Sequence, residues 1–261
     1  MKKILITGGA GYIGSVLTYE LLNLGHEVTV IDNFMYSQNS LSMCFKFKTF
    51  KVENYDVRNF SSYEKLIKEN DIIIPLAALV GAPICKKNKI GAKTINYDAI
   101  INLFETISKN QIVLMPTTNS AYGSGDKNNF CDENSPLNPL SEYAIDKVNI
   151  EKRLLEFENS ISLRLATVFG MSPRMRTDLL VNDFTLRAVK DRFIVLFESS
   201  FKRNYIHVMD VVGAFMHSLK KHDDMKGNIY NVGLSEANLS KKELCLKIKD
   251  QIPDFSIFES E

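Results

Sequence analysis

Lys3-Ile-Leu-Ile-Thr7 runs directly into Gly8-Gly9-Ala10-Gly11-Tyr12-Ile13-Gly14, a β-branched apolar stretch followed by glycines at 8, 11 and 14. The spacing predicts a strand that turns tightly into a helix. Gly8 permits the turn, Gly11 lets a ligand approach the backbone, and Gly14 lets the helix lie close on the sheet. The helix N-terminus behind the turn offers free N–H groups and positive potential, the chemistry of a phosphate site. The next apolar run, Glu27–Ile31, closes on Asp32-Asn33, 18 residues past Gly14. A carboxylate there accepts hydrogen bonds from an adenosine ribose and repels a 2′-phosphate, so the pattern favours NAD over NADP.

Working outward, short β-branched runs (Lys3–Thr7, Glu27–Ile31, Thr49–Val52, Asp71–Ile74, Gln111–Met115, Ile161–Leu165) alternate with helical patterns at Tyr12–Leu24, Ser61–Glu69, Thr94–Lys109 and Ser141–Glu158. The strand runs are almost continuously apolar, as expected where helices cover both faces, so the fold class is α/β, a doubly wound parallel sheet of Rossmann type. Ligands then bind at the carboxyl ends of the strands. Beyond Gly170 the alternation loosens into a loop at Met171–Arg176, a helix at Asp178–Lys190, strands near Asn204–Val208 and Gly227–Val232, and a helix at Asp210–Lys221. This divides the chain into a dinucleotide-binding domain, 1–170, and a smaller C-terminal substrate-binding lobe, 171–261, with 204–233 returning to the first domain. Lys86-Lys-Asn-Lys89 reads as a solvated loop. A further strand begins near Phe255.

With 45% hydrophobic and 24% charged residues among 261, the chain has the composition of a globular protein, which excludes disorder. A net charge of +1 gives no field to collect on nucleic acid or an anionic membrane. The apolar run Asp71–Gly81 falls short of the ~20 residues of a membrane span, and Met1-Lys-Lys leads into a strand instead of a signal peptide, so a cytoplasmic location is expected. Cys44, Cys85, Cys131 and Cys245 lie far apart without a C-x-x-C pair, the pattern of reduced thiols. His207 has no second His or carboxylate at ligand spacing and reads as a core histidine; no metal is expected.

Tyr143-Ala-Ile-Asp-Lys147 sets a phenol and an amine four residues apart on one helical face. A nearby ammonium favours the phenolate, which would lower the phenol's pKa and make Tyr143 a usable proton acceptor.

Together with these, Asp56-Val57, Ala77-Ala78, Thr117-Thr-Asn-Ser-Ala-Tyr-Gly123, Leu163-Arg-Leu-Ala-Thr-Val-Phe-Gly170 and Arg203-Asn-Tyr-Ile-His-Val-Met-Asp210 follow in the order seen in extended short-chain dehydrogenases/reductases. Across almost its whole length the chain resembles their NAD-dependent sugar epimerase/dehydratase family. The resemblance implies NAD as cofactor, a nucleotide-diphosphate sugar as substrate, homodimerisation through the helices around 94–109 and 141–158, and a Thr118–Tyr143–Lys147 catalytic set. Gly8, Gly11, Tyr12, Ile13, Gly14, Asp32, Asn33, Asp56, Val57, Ala77, Ala78, Leu79, Tyr143 and Lys147 would hold the cofactor. Thr118, Asn119 and Arg203 would meet the substrate. Arg174 and Arg176 are candidates for its diphosphate, because guanidinium planes match phosphate oxygens. Asn182 would touch a phosphate or sugar hydroxyl, or cap a turn. Members of the family generally run longer, so the substrate lobe is expected to be incomplete or more open.

Two departures bear on the reaction. Dehydratases of the family usually carry an Asp-Glu pair after the catalytic Thr to eliminate water; here Asn119 and Ser120 stand there, and neither serves as acid or base near neutrality. That leaves 4-oxidation, 4-epimerisation or reduction of a keto sugar. Thr167 stands where the family often has Asn. The stretches Leu76–Cys85, Ala166–Arg176 and Asp178–Phe184 look similar to a narrower bacterial group that includes GDP-mannoheptose 4-dehydrogenases of capsular polysaccharide synthesis. This implies a 4-dehydrogenase, with a nucleotide-sugar 4-epimerase as the alternative. A non-catalytic NAD-binding regulator is a further alternative, disfavoured by the joint presence of Thr118, Tyr143 and Lys147.

Overall fold

The structure is a computed structural model that describes residues 1–123 and 131–260. Twelve strands are described: β1 Lys3–Thr7, β2 Glu27–Asp32, β3 Phe50–Asn54, β4 Ile72–Pro75, β5 Ile112–Thr118, β6 Ser160–Leu165, β7 Thr167–Phe169, β8 Phe193–Leu196, β9 Lys202–His207, β10 Asn228–Val232, β11 Asn238–Ser240 and β12 Ser256–Glu259. The α-helices are α1 Tyr12–Asn23, α2 Glu64–Glu69, α3 Ala82–Lys87, α4 Lys89–Lys93, α5 Ala99–Thr106, α6 Glu142–Leu154, α7 Leu180–Lys190, α8 Val208–Lys220, α9 His222–Met225 and α10 Lys241–Gln251.

Seven parallel strands form the main sheet in the order β3-β2-β1-β4-β5-β6-β10. The winding direction reverses between β1 and β4, and that switch point is where an open α/β sheet leaves a crevice for ligand. The two-residue period of the strands explains why their sequences are apolar throughout. Ile4 and Ile6 of β1, Val28 and Val30 of β2, and Ile72 and Ile74 of β4 enter one core with α1 and α8. Leu5, Ile31 and Ile73, on the same strands, enter a second core with α2, α5 and α6 on the opposite face.

The lobe has its own small core of Phe184, Ala188, Ile194, Leu196, Tyr205, Leu244, Cys245, Ile248 and Phe255. It is built on two small sheets, β11-β9-β7 and β12-β8. Of the returning segment, α8 packs on α1 and β10 joins the main sheet beside β6, whereas β9 pairs with β7 and β11 in the lobe.

Several local expectations need correction. The helix expected over 94–109 is interrupted: Thr94–Asp98 forms a π turn between α4 and α5. The Lys86–Lys89 cluster is exposed but helical, ending α3 and starting α4, with Asn88 as the break; its Oδ1 accepts the Gly91 N–H at 2.9 Å and caps α4. The helix α10 has no expected counterpart; it starts at a capping box in which the Ser240 Oγ accepts the Glu243 N–H and the Glu243 carboxylate accepts the Ser240 N–H. His207 is half-buried and caps α8: its Nδ1 accepts the Met209 N–H at 3.2 Å, and its ring packs edge-on against Phe169. All four cysteines are free thiols. No described helix is long and apolar enough to cross a membrane. Among the described residues no group of three or more His, Cys, Asp or Glu is placed to hold a metal ion.

Candidate active site

A cleft opens at the carboxyl ends of β1, β2 and β4. Gly8, Gly11, Asp32, Asn33, Asp56, Val57, Ala77, Ala78 and Leu79 all line it, so nine of the cofactor residues expected from sequence come together on one surface. Gly8 adopts φ +73°, and a Cβ there would lie 2.5 Å from the Ala77 backbone nitrogen; no other residue type allows β1 and β4 to end so closely. At Gly14 a Cβ would lie 2.5 Å from the Gly8 carbonyl oxygen, so the close approach is to the glycine turn itself and not to the sheet as expected. The N-cap of α1 is Gly11, without a side-chain cap and with no acid in the first turn, so the N–H groups of that turn are free for an anion.

Asp32 is held at the cleft by two backbone donors: Oδ2 accepts the Ala10 N–H at 3.0 Å and Oδ1 accepts the Phe34 N–H at 2.8 Å. Its pKa is raised by burial, against the opposing effect of these hydrogen bonds and of the Arg174 charge. Asp56 accepts from the Asn33 amide at 3.0 Å and from both Nε and Nη2 of Arg58 at 2.8 and 2.7 Å, which holds its carboxyl well below the usual range. Tyr12 and Ile13, also expected at the cofactor, turn their side chains elsewhere. The Tyr12 hydroxyl donates to the Gly170 carbonyl at 2.6 Å, and Ile13 packs against the core. What they offer a ligand is their backbone.

The cleft wall depends on a residue that sequence reading passed over. Asn96, buried in the π turn, accepts the Leu79 N–H at 2.8 Å and donates to the Leu79 carbonyl at 2.9 Å. The turn swings this amide inward, a common use of π geometry at functional sites. A poor helix former inside an otherwise helical pattern was the available signal.

On the next strand beyond β4, at the same carboxyl edge of the sheet, Thr118 closes β5. Its Oγ1 accepts the Ser120 N–H at 3.1 Å, which leaves the hydroxyl proton free to donate. Asn119, half-buried, follows in the same turn. Lys147 is buried on α6, its ammonium 3.5 Å from the Pro116 carbonyl of β5, so the helix brings its amine to the strand end that carries Thr118. Tyr143, one turn earlier, is half-buried and lies within electrostatic reach of Cys85 and Arg176.

The expected lowering of the phenol pKa is overturned. Burial pushes Tyr143 up to about 12, Cys85 adds to this, and the charge opposing it is that of Arg176 rather than Lys147. Burial pushes Lys147 down to about 8. The lysine reaches off α6 toward the Pro116 carbonyl of β5, so its charge faces a carbonyl dipole.

The arginines separate. Arg176 pairs with Asp178 through both Nε and Nη2. Arg174, expected at the substrate diphosphate, instead lines the cofactor cleft, stacked 3.8 Å from the Tyr36 ring centroid. Arg203 is exposed on β9, outside the cleft, over the ring of Phe201. Asn182 is buried and follows the turn-capping reading: its Oδ1 accepts the Gly170 N–H at 2.9 Å and its Nδ2 donates to the Arg176 carbonyl at 2.9 Å. Its amide is committed to the loop 170–176.

The described features fit a dinucleotide: an uncapped helix N-terminus, a glycine turn that a Cβ would block, a carboxylate at the end of β2, and a buried guanidinium Nε without an acceptor. Comparison with known proteins agrees. The chain is 27% identical over 267 residues to UDP-glucose 4-epimerase 2 of Arabidopsis thaliana, covering 89% of this chain and 76% of that one. It is 27% identical over 242 residues to UDP-glucuronic acid decarboxylase 1 of Danio rerio, covering 88% of this chain but only 57% of that protein's length. The fold superposes on the NAD complex of UDP-glucose 4-epimerase from Thermus thermophilus with a TM-score of 0.84 at 24% identity, over 99% of this chain and 85% of that one. A family model matches residues 4–233. The chain therefore belongs to the NAD dependent epimerase/dehydratase family.

Proposed function

We propose that the protein oxidises C4 of a nucleotide-diphosphate sugar and releases the 4-keto sugar, acting as a 4-dehydrogenase on a GDP-heptose-like substrate in bacterial surface polysaccharide synthesis. The observation that carries this reading is the meeting of the Thr118 turn and the Lys147 ammonium at the end of β5, with Tyr143 one helical turn away. Bound NAD supplies the acceptor for the hydride from C4. Tyr143 would have to lose its own proton first and then, as the phenolate, take the proton of the C4 hydroxyl, while the free Thr118 proton hydrogen-bonds the same oxygen as carbonyl character develops. The charge of Arg176 opposes the burial that keeps the phenol protonated. Lys147 holds the nicotinamide-side ribose. Asn119, Arg176 and Arg203 are the remaining candidates for substrate contacts. Water elimination is disfavoured, since Asn119 and Ser120 offer neither acid nor base.

Net oxidation removes two hydrogens from the sugar, so a second, carbonyl-containing substrate must take the hydride back for turnover. What favours this outcome is the resemblance of Leu76–Cys85, Ala166–Arg176 and Asp178–Phe184 to the 4-dehydrogenase subgroup. A second reading, 4-epimerisation, is favoured by the similarity to UDP-glucose 4-epimerases and needs no second substrate. Incubation with GDP- and UDP-sugars followed by mass and NMR analysis separates them. Loss of two hydrogens supports oxidation; unchanged mass with inverted C4 supports epimerisation; no change with any sugar removes both and leaves a regulator.

A further inference from the structure

We propose that Arg174 is a cofactor-binding residue, its guanidinium pairing with the pyrophosphate of the dinucleotide in the β1/β4 cleft. This deepens the reading of that cleft as the NAD site and rests on it. Arg174 is 8% exposed, yet its Nε is buried with no hydrogen-bond acceptor among the described residues. A buried, unpaired guanidinium donor is costly, and its side chain lines the cleft where a ligand can satisfy it.

Charge leads to the same place. The residues lining the cleft include the carboxylates of Asp32 and Asp56, and Arg174 is the one cation among the described residues that line it. Arg58 is not available, because its guanidinium is engaged with Asp56. A pyrophosphate brings two further negative charges into this acidic surface, and the N-terminus of one helix offers only about half a unit of positive charge. Arg174 supplies the balance. Its neighbour Arg176 is paired with Asp178 and so lacks that freedom.

The backbone is fixed accordingly. The loop that carries Arg174 is fastened to the first turn of α1 at three points: Tyr12 Oη donates to the Gly170 carbonyl, Ser172 Oγ donates to the Tyr12 carbonyl at 2.7 Å, and the Ser15 and Ser172 hydroxyls lie 3.0 Å apart. These contacts, independent of ligand, hold the loop that bears Arg174 against the turn whose N–H groups are uncapped. Tyr36 covers one face of the guanidinium.

Calorimetric titration of the full chain with NAD, ADP-ribose, adenosine and GDP tests the assignment. Arg174→Gln should weaken NAD and ADP-ribose at least tenfold, leave adenosine within twofold, and leave GDP unchanged; Arg174→Lys should recover part of the loss. NAD and ADP-ribose affinities within twofold of wild type in Arg174→Gln would overturn the proposal. So would a loss confined to GDP, which assigns the guanidinium to the substrate, or an equal loss for adenosine, which assigns it a structural role. If Arg174→Gln does not fold, Arg174→Lys decides: weaker ADP-ribose binding with adenosine unaffected supports the bidentate pairing, and full wild-type affinity overturns it. Failure of wild type to bind NAD while folded would instead refute the cofactor reading of the cleft.

Discussion

Arg164 grips the carboxylate of Glu151 through Nε at 3.1 Å to each oxygen and Nη2 at 2.5 Å, with both side chains almost wholly buried. Thr117 Oγ1 and Ser162 Oγ add donors to the same carboxylate at 2.9 and 2.7 Å. The cluster ties α6 to β5 and β6 one turn beyond Lys147, so it fixes the helix that carries Tyr143 and Lys147. Glu151→Ala leaves a guanidinium buried without a counter-charge and should cost about 3–5 kcal/mol, read by urea denaturation. The double variant Glu151→Met with Arg164→Met should recover much of that loss, because neither charge is then stranded.

In the proposed reaction Thr118 would serve the backbone and the chemistry with one oxygen. Thr118→Ser should keep the 3.1 Å bond from Ser120 and retain most turnover. Thr118→Val removes both the acceptor and the donor. It should lower kcat by about 10²-fold and destabilise the turn by about 1 kcal/mol. Equal rates for the Val and Ser variants in steady-state assays would take Thr118 out of the reaction.

Lys147 is buried in a position that favours its neutral form, so removing it should stabilise the fold while stopping the chemistry. The sign follows from proton counting. With its pKa lowered to about 8 in the folded protein, the unfolded chain holds the proton more tightly between pH 8 and the ordinary lysine value. Wild type therefore gains stability as pH rises through that window, and Lys147→Met should lack the gain. At pH 7 the variant should melt a few degrees higher, roughly 2–4 °C per kcal/mol recovered. Thermal melts from pH 7 to 10 check both statements.

Tyr12→Phe deletes the hydroxyl that holds Gly170 and leaves the ring's packing in place. The expected cost is about 1 kcal/mol, with NAD affinity falling because the loop and the helix N-terminus are no longer joined at that point. Denaturation and calorimetry on the same preparation should show both effects; a stability change with unaltered NAD binding would separate the loop from the cofactor.

The sheet was legible because continuous apolar runs such as Ile72–Ile74 admit one explanation, burial on both faces, and the glycine turn marks where the first strand ends. Helical spacing put Tyr143 and Lys147 on one face, and only their place in the order of the family's motifs set the pair apart from any other helix. Their electrostatics were not legible. Whether an amine lowers a phenol's pKa depends on where the ammonium points, and the carbonyl of Pro116, 31 residues back in sequence, decides that. The place of Arg174 was hidden for a similar reason: spacing identified a loop with two arginines, but the contacts of Tyr12 and Ser172 determine which one faces the cleft. Asn96 escaped because a π turn differs from an α-helix by one residue per turn, too fine a change for periodicity to reveal.

The pairing of β10 with β6 has a consequence during synthesis. Residues 228–232 leave the ribosome long after 160–165, so the nascent dinucleotide half must wait with a wholly buried strand as its open border. An unpaired border of this kind recruits other chains. Expression of fragments ending before residue 228 should therefore yield aggregate, and translation slowed ahead of that point should raise the demand for chaperones.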